Sequence, residues 1–192
     1  SGGAMNRGFR IEGRPEPKAD ENVSVDYQLI SPGYFATMEI PLRAGRTFAA
    51  TDSESAPRVV IVNQMMARKY FPGQDPVGKR IAFGDPRNQD SWRTIVGVVG
   101  DVRYESIGVP PIPLAYTPHR QNTEPWSQMA IVLRTQLNPA ALAGDLRQAI
   151  LAVDPIQPVT NVQTMDELMA AGVTQSRFTM LLIGTLAGIA TV

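Results

Sequence analysis

Short runs of β-branched and apolar residues, broken by proline and glycine, constrain the fold of this 192-residue chain more than any other feature. The runs 58–62 and 94–99 are β-branched and apolar, which predicts two buried strands. Sixteen prolines lie between and beside such runs, and they favour turns, sheet edges and extended connections. A mixed fold of short strands and short helices, of the α+β class, is therefore predicted.

The charge balance and the residue types that are missing narrow the possible chemistry. Lysine and arginine total 18 and aspartate and glutamate total 18, so the formal net charge is +0 at pH 7. Without a basic surplus the chain does not attract a phosphate backbone, and nucleic acid is not an expected partner. The chain has no cysteine and one histidine, which excludes thiolate catalysis, disulfides and multi-histidine metal sites. We expect no catalytic residue, no metal and no cofactor.

Capping residues and strand-forming runs mark the elements of the first 120 residues. After a strand at 27–30, Ser31 and Pro32 predict the start of a short helix that runs to residue 38. Asn63 is a predicted cap for a helix that extends to about residue 70. Runs 79–83 and 94–99 predict two paired strands. Residues 109–118 predict an extended segment at a sheet edge, because they contain several residues that cannot donate to a ladder, Pro110, Pro111, Pro113 and Pro118.

Residues 129–162 have the pattern of a strand, a helix and a returning strand. The strands are predicted at 129–135 and 158–162. The helix begins at Asn138 and Pro139, ends before Asp154 and Pro155, and has one apolar face, Leu142, Leu146, Ile150 and Val153. Thr164 and Glu167 then match a capping box that opens a long final helix.

Both ends of the chain have unusual sequences. Residues 1–5 are typical of what remains after an expression tag is cleaved, so they are excluded from the predicted fold. Residues 180–192 are thirteen residues without a charge, which predicts a truncated transmembrane helix; the alternative is a buried helix. Arg177 before the run and the spacing of Gly184 and Gly188 favour the membrane.

One segment has the glycine and lysine spacing of a phosphate-binding loop. Residues 73–79 read Gly-Gln-Asp-Pro-Val-Gly-Lys, but Arg80 stands where a hydroxyl must bind magnesium. Asp75 repels phosphate and Pro76 lacks an amide hydrogen, so a turn leading into a strand is the better interpretation.

Few other residues have the pattern of a catalytic or metal site. His119 lies in a loop with no second histidine and no serine nucleophile motif beside it, which favours an ordinary surface histidine. Asp52 and Glu54 lack the glycine and distal glutamate of a calcium loop, so a solvated turn is predicted. Asp101 follows a strand, where it is either a site residue or part of a turn, and the turn is favoured.

Aromatic and methionine residues cluster on the two short helices. The interpretation favoured for them is core packing, and the alternative is an apolar ligand cleft; they are Tyr34, Phe35, Met38, Met65, Met66, Tyr70 and Phe71.

Six short motifs occur in an order that resembles a known family. They are Ser31-Pro32-Gly33-Tyr34-Phe35, Gly45-Arg46-x-Phe48, Val60-Ile61-Val62-Asn63, Phe71-Pro72-Gly73, Asp75-Pro76-Val77-Gly78-Lys79 and Ile95 to Arg103. The ordered set resembles the MacB-like periplasmic core domain of ABC transporter permeases in the FtsX/MacB superfamily. The resemblance covers about residues 22–192.

The resemblance implies a two-lobed extracytoplasmic domain inserted between two membrane helices. It implies a porter-like β-α-β subdomain built from both ends of the domain, 22–52 and 122–163. An inserted mixed α/β lobe, called Sabre in MacB, is expected at 53–121. Residues 164–192 are expected to form a stalk helix that leads into the truncated transmembrane helix.

The resemblance also implies function and partners. The domain is expected to move with the cycle of a cognate ABC ATPase, in efflux or mechanotransmission, and to have no catalytic residue of its own. The expected partners are that ATPase, a second permease copy, the inner membrane through flanking helices and, in some members, a periplasmic adaptor. Two alternatives stay open: a soluble extracytoplasmic ligand-binding module, and a hydrolase that uses Asp101 and His119.

Overall fold

The computed structural model describes residues 5–15, 23–102, 111–122, 129–168 and 170. The chain forms two compact units, one made of residues 1–103 with 110–133 and the other of 104–109 with 134–192. The apolar run predicted to be a truncated transmembrane helix, 180–192, lies outside the described residues. Among the residues that are described, no helix is both long and apolar enough to cross a membrane.

The first unit consists of strands joined by short helices and turns. Its helices are α1, Tyr34–Thr37, and α2, Gln64–Tyr70. Single 3₁₀ turns lie at Gln89–Ser91 and His119–Gln121. The strands are β1 Met5–Ile11, β2 Ser24–Ile30, β3 Leu42–Gly45, β4 Val59–Asn63, β5 Arg80–Phe83, β6 Trp92–Val99 and β7 Leu114–Pro118.

The strands form one sheet that closes on itself. Their order is β3-β6-β4-β7-β2-β1-β5, and β5 also pairs with β6, as the sequence predicted. Six strands therefore make a barrel, and β3 is attached outside it to β6. Strands β4 and β6 are parallel, as are β2 and β7, while the remaining pairs are antiparallel. Closure removes the free edges of six strands and makes the barrel a stiff unit.

Two apolar clusters lie on opposite sides of the barrel wall. The inner cluster fills the barrel and includes side chains of α2; its buried members are Phe9, Val25, Tyr27, Val60, Val62, Met66, Tyr70, Phe71, Ile81, Phe83, Ile95, Val98 and Ala115. The outer cluster lies under α1 and contains Ile30, Phe35, Ile40, Phe48, Val59, Ile61, Val99, Leu114 and Tyr116. Successive residues of β4 alternate between the two clusters, which is why this strand is apolar throughout.

The proline-bearing segment is central in the sheet, so its prediction as an edge is wrong. Strand β7 lies between β4 and β2. Pro111 and Pro113 precede the strand, and inside it only the last residue, Pro118, lacks an amide hydrogen. The prolines therefore leave nearly the whole ladder intact.

Two strands have no counterpart in the sequence prediction. Strand β1 has the sequence Met-Asn-Arg-Gly-Phe-Arg-Ile, in which only Phe9 is buried, and β3 is four residues long and largely exposed. Neither has the apolar alternation that identifies a strand. Met5 pairs with Tyr27 in β1, so the residues predicted to be a tag remnant, 1–5, overlap the fold by one residue.

The start of α1 also differs from its prediction. Ser31 and Pro32 were expected to open the helix, but Gly33 occupies the capping position and makes no side-chain hydrogen bond. Ser31 contributes its backbone carbonyl, which accepts from the Tyr34 amide at 3.1 Å.

The sheet contains strands from both of the predicted subdomains. Strand β2, in the porter-like range 22–52, pairs with β7, and β3 pairs with β6; both β6 and β7 fall in the Sabre-like range 53–121. Residues 52 and 53, where the two predicted ranges meet, lie in the connection between β3 and β4. Backbone pairing over long sequence separations, which motif order does not reveal, joins the two ranges.

Of the strand, helix and strand predicted over residues 129–162, the helix is confirmed and the strands are not. Helix α3 spans Pro139–Val153, as its capping signals predicted. Within the described part of the chain, 129–135 and 158–162 pair with no strand. Met129, Ile131 and Leu133 are 82%, 53% and 57% exposed, so the alternating pattern is present without a neighbour to pack against.

The capping box before residues 165–168 is confirmed. The Thr164 amide donates to the Glu167 carboxylate at 2.7 Å, and the Glu167 amide donates to the Thr164 hydroxyl at 3.2 Å. These bonds from Thr164 lower the pKa of Glu167, since they stabilise its ionised form.

Candidate functional site

Asn63, at the end of β4, links three separate parts of the first unit. Its side-chain oxygen accepts from the Met66 amide, which caps α2 as predicted, and from the Leu114 amide, both at 2.9 Å. Its side-chain nitrogen donates to the Ile112 carbonyl at 2.8 Å. The side chain is fully buried, at 0% exposure, so its polar atoms depend on hydrogen bonds such as these three. Asn63 therefore fixes α2 and the start of β7 against the same strand end.

Asp101, one of the two residues of the hydrolase hypothesis, also holds α2. One carboxylate oxygen accepts from the Met65 amide at 2.7 Å and the other from the Arg68 guanidinium at 2.6 Å. A carboxylate at free amides of a first helical turn stabilises the helix start. Asp101 thus positions α2. The sequence did not reveal this role, because Asp101 lies 36 positions after Met65.

His119 lies at the opposite end of the barrel from Asp101. Strand β6 is parallel to β4 and β7 is antiparallel to it, so the residues that follow β6 and β7 lie at opposite ends. His119 is exposed, and its Nδ1 lies 3.3 Å from the Ile30 carbonyl oxygen. The geometry does not bring the two residues together, and the hydrolase hypothesis loses its acid–base pair.

The segment 73–79 is a turn that leads into β5, as predicted. Asp75 accepts from the Val77 amide at 2.9 Å, closing a local turn. The Gly78 amide donates to the Ile95 carbonyl at 2.8 Å, and Gly78 has a φ of +85°, which glycine adopts without strain. Because that amide is bound to β6, the loop does not present it to a phosphate.

Asp52 is buried and ion-paired, so its prediction as part of a solvated turn is wrong. It is 6% exposed, and both of its oxygens accept from Arg46, at 2.8 and 2.9 Å. It also accepts from the Ala49 amide at 2.8 Å. The hydrogen bonds from Arg46 hold the pKa of Asp52 below its usual value, although burial acts in the opposite direction. This bidentate pair closes the loop that follows β3.

The Arg46–Asp52 pair predicts a specific loss of stability in acid. A carboxyl with a lowered pKa stabilises the fold above its unfolded-state pKa of about 4, and that stabilisation is lost as the pH falls through the lower, folded value. Arg46 is half exposed, so we expect only about 1 kcal/mol from the pair after screening by solvent. Asp52→Asn is expected to flatten the decline of stability below pH 4, measured by urea unfolding at several pH values.

Two further variants control this measurement. Arg46→Gln breaks the pair from the other side and is expected to flatten the same decline. Arg43→Gln, the same change on the exposed strand β3, is expected to leave it in place. If the free energy of unfolding falls with pH equally steeply in Asp52→Asn and in the native chain, the pair does not contribute to stability.

Gly45 and Gly97 let β3 and β6 approach closely. A Cβ atom on Gly97 would lie 2.3 Å from the Arg46 carbonyl oxygen, and one on Gly45 would lie 2.2 Å from the Val96 carbonyl oxygen. Gly45 also has a φ of +70°. Both positions therefore require glycine, and the Arg46 amide donates to the Val96 carbonyl at 2.9 Å across the gap.

Gln121 is a second buried link, and the sequence did not point to it. Its side-chain oxygen accepts from the Val59 amide at 3.0 Å, and its nitrogen donates to the carbonyls of Ser53 and Pro57, both at 3.1 Å. Arg58 donates to the Gln121 carbonyl at 2.5 Å. These partners lie more than 60 residues away, and no local signal identifies them.

The aromatic and methionine residues of the two helices pack into different clusters. Phe35 of α1 lies in the outer cluster, and Met66 and Tyr70 of α2 lie in the inner cluster. Phe35, Met66, Tyr70 and Phe71 are buried, as core packing predicts. Phe35 meets Tyr116 edge to face with ring centroids 5.0 Å apart. A cleft of about 540 Å³ lies elsewhere, lined mainly by polar and charged residues, among them Glu54, Arg58, Arg80 and Asp90. The buried aromatic and methionine side chains of the two helices are therefore part of the core and do not line an apolar cleft.

Residues of the six motifs, among them Asn63 and Asp101, thus hold the barrel and α2 together. The sequence profile of the family described as MacB-like periplasmic core domain matches residues 5–149. The chain belongs to this family. As a MacB-like periplasmic core domain, it is the periplasmic part of a transporter permease.

One curated relative of this MacB-like domain is a bacterial export protein. Over 83 residues, 42% of the chain, it is 36% identical to the probable syringafactin export ATP-binding/permease protein SyfD of Pseudomonas syringae pv. tomato. The chain spans 12% of the length of SyfD.

Solved structures support the fold of the MacB-like domain. The periplasmic region of MacB from Actinobacillus actinomycetemcomitans has a TM-score of 0.56 and 16% identity, with 78% of this chain and 64% of that chain covered. A permease-protein domain from Porphyromonas gingivalis has a TM-score of 0.50 and 18% identity, with 87% and 64% covered. At these identities the likeness concerns the mixed α/β fold.

Proposed function

We propose that this chain is the extracytoplasmic domain of an ABC transporter permease, and that it couples ATP hydrolysis in the cytoplasm to a conformational change outside the membrane. The family match over residues 5–149 carries this proposal. The similarity to SyfD, an export ATP-binding/permease protein by name, favours efflux. The resemblance that suggested the family also allows mechanotransmission without a transported molecule.

The partners follow from this role. A cognate ABC ATPase supplies the hydrolysis, either fused or separate, and a second permease copy completes the transporter. Helices that flank the domain anchor it in the inner membrane. A periplasmic adaptor is a further partner, as in some members of the family.

The construction of the first unit suits a part that moves as a rigid body. The closed barrel, fixed at one end by Asn63 and Asp101, resists internal deformation. Thr164 opens a capped helix, and residues 164–192 are the proposed stalk that passes motion between the membrane and the domain. The division into porter-like and Sabre-like parts belongs to the same proposal.

Distance measurements on the full-length permease with its ATPase test the coupling. The chain has no cysteine, so Glu54→Cys, at an exposed position, introduces one spin-label site into the domain. In lipid nanodiscs the distance between labels on the two permease copies is measured with ATP and without nucleotide. We expect the distance distribution to differ between these states, because the domains follow the ATPase.

An ATPase variant that does not bind nucleotide is the matched control. It is expected to keep the nucleotide-free distances when ATP is added. If the native complex hydrolyses ATP while the two distributions stay identical, the domain does not move with the cycle, and the proposed coupling is wrong.

A further inference from the structure

Three arginines meet at one end of the barrel. Strands β1, β4 and β6 run in the same direction, so the beginnings of all three lie at this end. Arg7 lies in β1, Arg58 directly precedes β4, and Arg93 lies in β6. Each arginine stands two positions before a residue of the inner cluster, Phe9, Val60 and Ile95 respectively. Strand alternation therefore turns Arg7 and Arg93 towards the inside of the barrel, while Arg58 lies at its rim and also lines the cleft beside Asp90.

The contacts of Arg7 and Arg93 place these two side chains on one aromatic pair. The Arg7 guanidinium lies 4.9 Å from the ring centroid of Tyr27, and that of Arg93 lies 5.3 Å from the centroid of Phe83. The two rings are 5.0 Å apart. Thr117 donates to the Tyr27 hydroxyl at 2.8 Å, so the same end also holds buried polar groups. The rings fill the barrel beneath the arginines.

Arg93 is a buried cation with no carboxylate beside it. It is 8% exposed, and it donates to the Ser91 carbonyl at 2.9 Å. In the part of the chain that the structure describes, no carboxylate forms an ion pair with it. Burial lowers the pKa of Arg93, Tyr27 raises it, and the positive charges of Arg58 and Arg7 lower it further. A buried charge among like charges is costly unless an anion compensates it.

Asp90, an acid near this end, is poorly placed to compensate the charge of Arg93. The carboxylate of Asp90 lies 4.0 Å from Nε of Arg58 and is 79% exposed. Screening by water makes such a pair weak. Arg58 donates instead to the Gln121 carbonyl, which carries no formal charge.

We propose that this end of the barrel, defined by Arg7, Arg58 and Arg93 and called the arginine mouth, binds a phosphate group, either inorganic phosphate or a small phosphomonoester. Guanidinium groups form strong charge-assisted hydrogen bonds with phosphate oxygens. A tetrahedral dianion offers oxygens in several directions, which matches donors that come from three different strands. Because Tyr27 and Phe83 fill the barrel below, the anion binds at the mouth and does not enter the barrel.

Titration of the 192-residue chain with inorganic phosphate tests this site. The ionic strength is held constant with chloride, and the Nε–Hε resonances of the arginines are followed by NMR. We expect saturable shifts of the resonances of Arg93 and Arg58. Arg93→Gln is expected to weaken binding about tenfold or more, since it removes one charge-assisted contact.

Two further variants complete the test: one replaces Arg93→Gln if that variant does not fold, and the other is a matched control. Arg7→Gln changes a partly exposed side chain at the mouth and is also expected to weaken binding, which covers the case in which Arg93→Gln does not fold. Arg43→Gln makes the same charge change on exposed β3, outside the barrel, and is expected to bind phosphate like the native chain.

A second titration, with glycerol phosphate, distinguishes the source of the group. Tighter binding than inorganic phosphate, lost in Arg7→Gln, supports the mouth as a site for a phosphomonoester such as a lipid headgroup. Equal or weaker binding, also lost in Arg7→Gln, supports free phosphate as its ligand. Absence of saturable shifts with both compounds, or equal affinity in the native chain, Arg93→Gln and Arg7→Gln, overturns the proposal.

Discussion

Gly97→Ala is expected to lower the free energy of unfolding by about 3 kcal/mol. The added Cβ would lie 2.3 Å from the Arg46 carbonyl oxygen and 3.3 Å from that of Ala44, both backbone atoms of the adjoining chain. A flexible side chain can move aside, but here β3 itself must shift away from β6. That shift breaks the bond from the Arg46 amide to the Val96 carbonyl and disturbs the loop closed by Asp52. Urea unfolding followed by circular dichroism measures the loss.

Gly33→Ala is the matched control for this substitution. A Cβ on Gly33 has no atom within 4 Å, and its φ of −77° suits any residue. It is expected to change stability by less than about 1 kcal/mol. A loss in Gly97→Ala no larger than that in Gly33→Ala would show that β3 adjusts freely and that the close approach is unimportant.

Asn63→Ala is expected to cost about 3–5 kcal/mol. The alanine leaves the Met66 and Leu114 amides and the Ile112 carbonyl without their buried partner. These groups belong to α2 and to the start of β7, so we expect the two elements to loosen together. Hydrogen exchange measures this directly, as loss of protection at the Met66 and Leu114 amides.

Asn88→Ala removes a comparable capping bond at an exposed site. Asn88 accepts from the Asp90 amide at 2.9 Å at the start of a 3₁₀ turn. Its replacement is expected to cost about 0.5–1 kcal/mol, since water satisfies the freed amide. If Asn63→Ala and Asn88→Ala lower the free energy of unfolding by similar amounts, burial adds little to the strength of the Asn63 hydrogen bonds. That result would contradict the role given to Asn63.

Elements whose signals are local were predicted well. Asn63 caps α2, Pro139 opens α3, and Thr164 with Glu167 forms the capping box. In each case the residues that decide the structure lie within four positions of one another. The short buried strands β4, β5 and β6 were also identified, because their apolar residues must face a core from whichever side they pack.

Features that depend on distant partners were missed. The sequence around Asp52 is that of an exposed turn, and only the position of Arg46 across the loop makes Asp52 buried and paired. Gln121 resembles any polar loop residue until the fold brings Val59 to it. Strand β7 was predicted at an edge because proline is disfavoured in a ladder, whereas Pro111 and Pro113 precede the strand and Pro118 is its last residue.

The order of short motifs was sufficient for the family. The structure gives residues of these motifs roles in the fold: Gly45 and Gly97 permit close strands, and Asn63 and Asp101 position α2. Motifs that maintain a fold identify a family without specifying what a given member transports.

The amino-acid sequence by itself determined the capped helices, the buried strands and the family, because these depend on residue type and short spacing. Only the tertiary structure decided that six strands close into a barrel and that Arg7, Arg58 and Arg93 converge at one end of it. Strand pairing joins residues as far apart as Tyr27 and Ala115, and no local pattern specifies such a pair. Strand pairing is not readable from the sequence because the hydrogen bonds between strands are made by the backbone, which is the same in every residue except proline.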